Sequence, residues 1–366
     1  MSEMSFRSGL NRTFVAGAAA ALCAVISYAQ TPAGEKNMFV ETPAGWKHPK
    51  TAWGDPDLQG TWPINYVGGV PLERCRGGRA GGPPCDVNKA FLTEEEFKAR
   101  VNAINGRGNR YAEAMKKGDL GAAFNAGNTD PTTPQRQTSL IVDPPDGQLP
   151  ALTEEGKRLS DQMRSSWAKS PDEVLTFDSE QDFDTWDRCI TRGMPASMFP
   201  FRYNNGMQII QIPGYVILNL EMIHDARIIP LGNRPPLSPK IKEWMGESRG
   251  HWDGNTLVVV TTNFKPGASM TNIGVVGAPE GNRVPTSEKM KITERFTRLN
   301  DAMMVYEITT EDPVVLTRPW TARFPLKLDN GYVWWEYACH EGNRTIPDYI
   351  SSSRAERAQA AKESQP

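Results

Sequence analysis

Histidine is nearly missing: four in 366 residues, His48, His224, His251 and His340. No two of them stand two or four positions apart, and His-Glu-x-x-His is absent. A zinc site would have to be assembled from separate segments with carboxylates such as Asp225 and Glu341. The chain is therefore expected to work without a metal or a cofactor. A basic excess is also lacking, with 41 Lys and Arg against 43 Asp and Glu and a net charge of −2. Nucleic acids and anionic membrane surfaces select a clear positive surplus, so neither is an expected partner. Long apolar runs are missing too. The most continuous, Phe14 to Ile26, is too short to span a bilayer.

That short run has a different meaning. Arg7 and Arg12 precede it, and Ser27-Tyr28-Ala29 follows as a small-residue cleavage site. A basic, then apolar, then small order marks residues 1–29 as a secretory signal and the mature protein as secreted or periplasmic. Leu22 is a poor neighbour for a lipid-modified Cys23, and no paired arginines mark the twin-arginine route. Four cysteines follow the leader. In an oxidising compartment an even set implies disulfides, and four allow three pairings. Cys75 and Cys85 bracket an Arg-, Gly- and Pro-rich loop that cannot fold by burial, so they are paired locally. Cys189 is then left for Cys339. Two free buried thiols are the alternative.

The rest of the chain is dominated by alternation. From Trp320 to Leu328 every second residue is apolar, which sends one set of side chains inward and the other to water. Asp329-Asn330-Gly331 suits a tight hairpin, and Tyr332 to Tyr337 is read as the returning strand. Met207–Ile212 and Tyr215–Leu220 flank Pro213-Gly214; Asp253-Gly254 enters a β-branched run; Leu299-Asn300-Asp301 separates two more candidate strands. About ten such segments suffice for an antiparallel β-barrel of the lipocalin or calycin kind, or for a sandwich. The expected organisation is a signal over 1–29, then a loop-rich and helical region over 30–206 packed on the barrel. The barrel itself covers 207–345 and a charged tail 346–366. Trp46, Trp53 and Trp62 are expected to anchor the Pro-rich lead-in. Thr93 with Glu96 reads as a capping box opening a helix. Further helices are read at Tyr111–Lys117 and Thr153–Trp167, with loop over Asn128–Pro150 and at most a frayed helix in the tail.

At the level of whole motifs the chain resembles an uncharacterised family of secreted bacterial proteins. The matching pieces include Asp55 to Trp62, His224-Asp225-Ala226-Arg227, Ser248 to Val259, Glu294 to Arg298, and Tyr337-Ala338-Cys339-His340-Glu341-Gly342-Asn343. His251 departs from that pattern, where a basic residue is usual. The resemblance implies export, but no activity. The Gly-x-Trp-Asp-Gly-x-Thr-Leu hairpin is also loosely similar to hairpins of lipocalin-like ligand barrels.

Chemistry has few places to sit. Gly246-Glu247-Ser248-Arg249-Gly250 spells the nucleophile-elbow pattern, but it leads into another strand instead of a helix, so it reads as a chance match. Glu221 to Arg227 is the densest polar cluster. On an extended chain Glu221, Asp225 and Arg227 share one face and His224 the other, pointing into the barrel. His340 and Glu341 end the last expected strand, where a Cys189–Cys339 bridge would hold them rigidly. Arg188 and Arg192 would arrive at the same place to hold a carboxylate or developing oxyanion. Catalytic candidates are thus His224, His340, Asp225, Glu341 and Arg188; ligand-binding candidates are Arg192, Tyr203, Asn205, Trp334 and Tyr337. The preferred expectation is an exported enzyme doing metal-independent acid–base chemistry, as a lyase, isomerase or hydrolase, on a small, largely apolar or aromatic molecule. The alternative is a non-catalytic lipocalin-like carrier. A third class is a surface interaction protein using the Trp-rich lead-in.

Overall fold

A strand that buries every second residue needs a partner on each edge and an apolar layer beneath it. The computed structural model describes residues 37–75, 86–119, 133–163, 166, 175–266 and 284–364. Among these, ten strands form two antiparallel sheets. The first holds β1 (Gly60–Thr61), β3 (Met207–Ile212), β4 (Tyr215–Leu220) and β5 (Ala226–Pro230), in the order β1-β3-β4-β5. The second holds β2 (Ile141–Asp143), β6 (Glu247–Asp253), β7 (Thr256–Thr262), β8 (Lys291–Arg298), β9 (Met303–Glu311) and β10 (Trp320–Lys327), in the order β2-β10-β9-β8-β7-β6. The inward residues of both sheets form one apolar cluster. Trp320, Ala322 and Phe324 from β10 meet Tyr306 and Ile308 of β9, Phe296 of β8, and Ile209 and Leu218 of the first sheet. Each fully buried Phe, Leu or Ile there contributes roughly 1.5–3 kcal/mol of transfer free energy.

The sheets approach each other at both lateral edges, and a glycine stands at each seam. Leu231 forms a parallel bridge with Gly250, joining the end of β5 to β6. A Cβ on Gly250 would lie 2.8 Å from Leu231 and 2.9 Å from Ile229, so a side chain there would push the sheets apart. On the far side Asp329 N–H donates to Thr61 O over 2.9 Å, just past the end of β10. Gly60, at φ +130°, leaves room there for Leu328, which a Cβ would meet at 2.4 Å. Among the described residues no continuous ladder crosses both seams.

Among the described residues four α-helices decorate the sheets: α1 (Glu94–Asn105), α2 (Arg107–Lys116), α3 (Glu154–Gln162) and α4 (Thr345–Glu363). The capping box forms as expected, with Glu96 N–H donating to Thr93 Oγ1 and Thr93 N–H to Glu96 Oε2. Trp62 is fully buried and Trp46 donates to Asp301, whereas Trp53 is exposed.

Three local expectations are corrected. Tyr332–Tyr337 is not a strand but part of an irregular strap. Asn330 is spent elsewhere, its side chain accepting from Thr61 N–H over 3.2 Å, and Asp329 Oδ1 accepts from Gly331 N–H. The seam with β1 thus replaces the hairpin. Inside the expected loop 128–150, Ile141–Asp143 becomes β2 because β10 has a free edge opposite Thr321 and Ala322. The tail forms the 19-residue α4, docked where Tyr349 meets Phe177 and Phe183 edge-on and Ser353 Oγ accepts from Phe177 N–H.

Candidate functional site

The bond between Cys189 and Cys339 is present, with Cα atoms 5.7 Å apart across a separation of 150 residues. Cys75 is also disulfide-bonded; its expected partner Cys85 lies outside the described residues. The long-range bridge draws the segment before β3 against the strap that follows β10. Local hydrogen bonds shape the first of these. Asp184 Oδ1 accepts from the N–H groups of Trp186 and Asp187, and Thr191 Oγ1 accepts from Gly193 N–H. The result holds Arg192 inward.

Arg192 is the centre of the site. Its residue is 3% exposed, and its guanidinium carbon lies 5.1 Å from the ring centroids of both Trp186 and Phe201. Those rings meet edge to face at 4.9 Å. Around them Phe201 contacts Tyr203, Tyr203 stacks on Tyr337, and Trp186 Nε1 donates to the Tyr337 hydroxyl over 2.9 Å. Arg192 donates to Phe199 O over 3.3 Å, while its Nε and Nη2 have no hydrogen-bond partner among the described residues. Beside it, lined also by Ser197, Phe199, Asn204, Asn205 and Gly206, is a cavity of about 10 Å³. That is room for about one water-sized group.

Magnitudes show how unusual this is. An effective desolvation penalty of several kcal/mol attaches to a buried ion. Two cation–π contacts offset about 0.5–2 kcal/mol each, and one longish hydrogen bond about 1 kcal/mol. The charge is left undercompensated. Burial brings the Arg192 pKa down to about 10, so it stays cationic at neutral pH. Burial likewise raises the phenols of Tyr203 and Tyr337, keeping both neutral. Neutral hydroxyls and a bare guanidinium are donors for an anion.

Comparison of the chain with protein-family models, with curated proteins and with solved structures found no match.

The expected ligand-binding residues therefore meet: Arg192, Tyr203, Asn205 and Tyr337 stand together, with Trp334 at the margin, edge-on to Tyr332. The expected catalytic residues do not. His224 is exposed, correcting its inward placement. Residues 222–224 form a 3-10 turn with φ of +59° at Ile223 and +57° at His224, so strand alternation fails there. His340 and Glu341 are exposed beside the disulfide. Arg188 turns away from Arg192 and donates to Gln181. Asp225 orients no imidazole; it accepts from Thr191 Oγ1 over 2.7 Å. Burial raises its pKa to about 6, against the opposing effects of Thr191 and Arg227.

Two further groups escaped the sequence reading. Glu221, 3% exposed, accepts from Gly206 N–H, the Tyr332 hydroxyl and Trp335 N–H at 2.8, 2.7 and 2.6 Å. This carboxylate pins the strap over the site. Between the sheets, Arg227 pairs with Glu294 and also donates to Ser248 and Thr261, while Tyr306 donates to Glu294 over 2.8 Å. Ser248 is thus a mid-strand member of a buried polar network and not a nucleophile. Burial alone would lower the Arg227 pKa, but the adjoining Glu294 carboxylate raises it. The available signal was Glu294 at an inward position between Ile292 and Phe296.

Proposed function

We propose that this is an exported small-ligand protein that captures the carboxylate of a largely apolar or aromatic acid on Arg192. The observation that carries the reading is a buried guanidinium with two nitrogens that have no hydrogen-bond partner among the described residues, beside a cavity with room for about one water-sized group. With the strap closed the cavity holds only a water-sized group, so the acid would enter as the strap lifts; its carboxylate would then take those donors and the rings of Trp186, Phe201, Tyr203 and Tyr337 would contact the apolar body. Glu221 and the Cys189–Cys339 bridge would keep the strap that carries Tyr337 tethered and return it over the bound acid. A disulfide is compatible with an oxidising compartment. The two glycine seams support a lipocalin-like, nearly closed arrangement, and the carrier reading follows from it.

A catalytic reading has one observation in its favour. Asp225 bonds to Thr191, next to Arg192, and burial raises its pKa to about 6. As an enzyme the protein would perform metal-independent acid–base chemistry with Asp225 transferring the proton and Arg192 holding the anion. His224 and His340 would then reach substrate only from the exterior.

Isothermal titration of benzoate tests the binding reading. Wild type is expected to bind one equivalent at Arg192, Arg192→Met to lose that binding, and Arg188→Met to keep it. Equal affinity in wild type and Arg192→Met refutes the proposal. Loss of turnover of a bound acid in Asp225→Asn with binding retained separates enzyme from carrier.

A further inference from the structure

The outer face of the second sheet carries a separate, larger hollow. It measures about 690 Å³ and runs over β10 and β2. A second hollow of about 560 Å³ continues it over β8 and β9. Glu307 and Arg323 line both, and Arg323 Nε donates to Glu307 over 2.6 Å, so their ion pair forms the saddle between the two. Clefts of 300–1,000 Å³ are the usual size for sites that enclose a small organic molecule.

The floor of the first hollow is made by Arg74, 2% exposed. Among the described residues its guanidinium donates to uncharged oxygens: the carbonyls of Val87 and Pro145, and the hydroxyls of Thr138 and Ser139. The last of these contacts is long, at 3.4 Å. The other two arginines of the hollow are paired, Arg318 with Asp143 over 2.9 Å and Arg323 with Glu307. The cleft therefore keeps one guanidinium to which, among the described residues, no carboxylate bonds directly, although Asp146 and Asp86 favour its charge from farther off. Phe91, Ile141, Val142 and Pro145 supply an apolar wall beside it. A cation at the floor and an apolar wall are the two complements of an amphiphilic anion.

We infer that this outer cleft is a second binding site, distinct from Arg192, for an organic anion with an apolar body. The acid group would settle toward Arg74 and Arg318, and the body would lie along Phe91 and Val142. The inference stands on residues shared with no part of the Arg192 centre, so either site can fail without the other.

The probe is octanoate, with octanol as its uncharged counterpart, titrated by calorimetry against the oxidised full-length protein. Wild type is expected to bind octanoate at least about tenfold more tightly than octanol, a difference of about 1.4 kcal/mol. Thr321→Trp fills the cleft from an outward strand position and is expected to weaken octanoate by about tenfold or more. Arg318→Gln, at an exposed position that leaves the core intact, is expected to weaken it about threefold to tenfold. Octanoate is also an apolar acid of the class proposed for Arg192, so the titration is repeated in Arg192→Met, where the equivalent that Thr321→Trp removes is expected to persist within about twofold. No octanoate binding, equal affinity for acid and alcohol, or loss in Arg192→Met with retention in both cleft variants would each overturn the inference.

Discussion

Replacing Arg192 with Met should make the ligand-free protein more stable, which is the opposite of what most buried substitutions do. The loss is limited: two aromatic contacts at 5.1 Å and one 3.3 Å hydrogen bond to Phe199 O. Together these contribute about 2–5 kcal/mol. Against them stands the removal of a buried charge whose desolvation costs several kcal/mol. Methionine keeps most of the side-chain volume and makes favourable sulfur–aromatic contacts of its own, about 0.3–1.5 kcal/mol each. The net expectation is a stabilisation of about 1–3 kcal/mol, in line with buried ion groups replaced by apolar ones. Urea unfolding followed by tryptophan fluorescence, at constant m-value, reads it directly. Saturating benzoate should stabilise wild type and not the variant, so the ordering of the two proteins narrows or inverts as ligand is added. A variant destabilised by more than about 2 kcal/mol without ligand would show that the guanidinium is already compensated, and the binding argument would fall with it.

The pH dependence of stability should carry a contribution from Asp225. Its folded pKa of about 6 lies above the usual 3.8, so the folded state holds the proton more tightly. This contribution is fully present below about pH 4 and is lost as pH rises through 6; it amounts to on the order of 3 kcal/mol. Asp225→Asn should flatten that limb of the stability curve, and an unchanged curve would contradict the burial assigned to this carboxyl. Arg227→Met should destabilise by about 3–5 kcal/mol because it strands the Glu294 carboxylate, and Arg227→Met with Glu294→Gln should recover a large part of the loss in the same unfolding assay. Cys189→Ser with Cys339→Ser should cost about 3–5 kcal/mol. It should also weaken benzoate, since Tyr337 is two residues from the bridge; unchanged affinity would place the strap's order elsewhere.

Much of the strand pattern could be read directly. Met207–Ile212 and Tyr215–Leu220 around Pro213-Gly214, and the Asp253-Gly254 hairpin, follow from alternation and turn chemistry that act over a few residues. The failures share a cause. At Asn330-Gly331 the local turn signal competed with a distant partner, Thr61, and the distant partner won. At His224 alternation was extended one step too far, across left-handed residues that no period announces.

From its sequence alone, then, the chain determined which segments are extended, which faces turn inward and which cysteines are left to pair over long range. Those properties come from side-chain periodicity and backbone sterics, and they are local. Only the tertiary structure decided that Arg192 lacks an anion, that Glu221 anchors a strap and that Arg74 floors a cleft. Charge compensation depends on what lies within a few ångströms in space, and sequence distance carries almost no information about that.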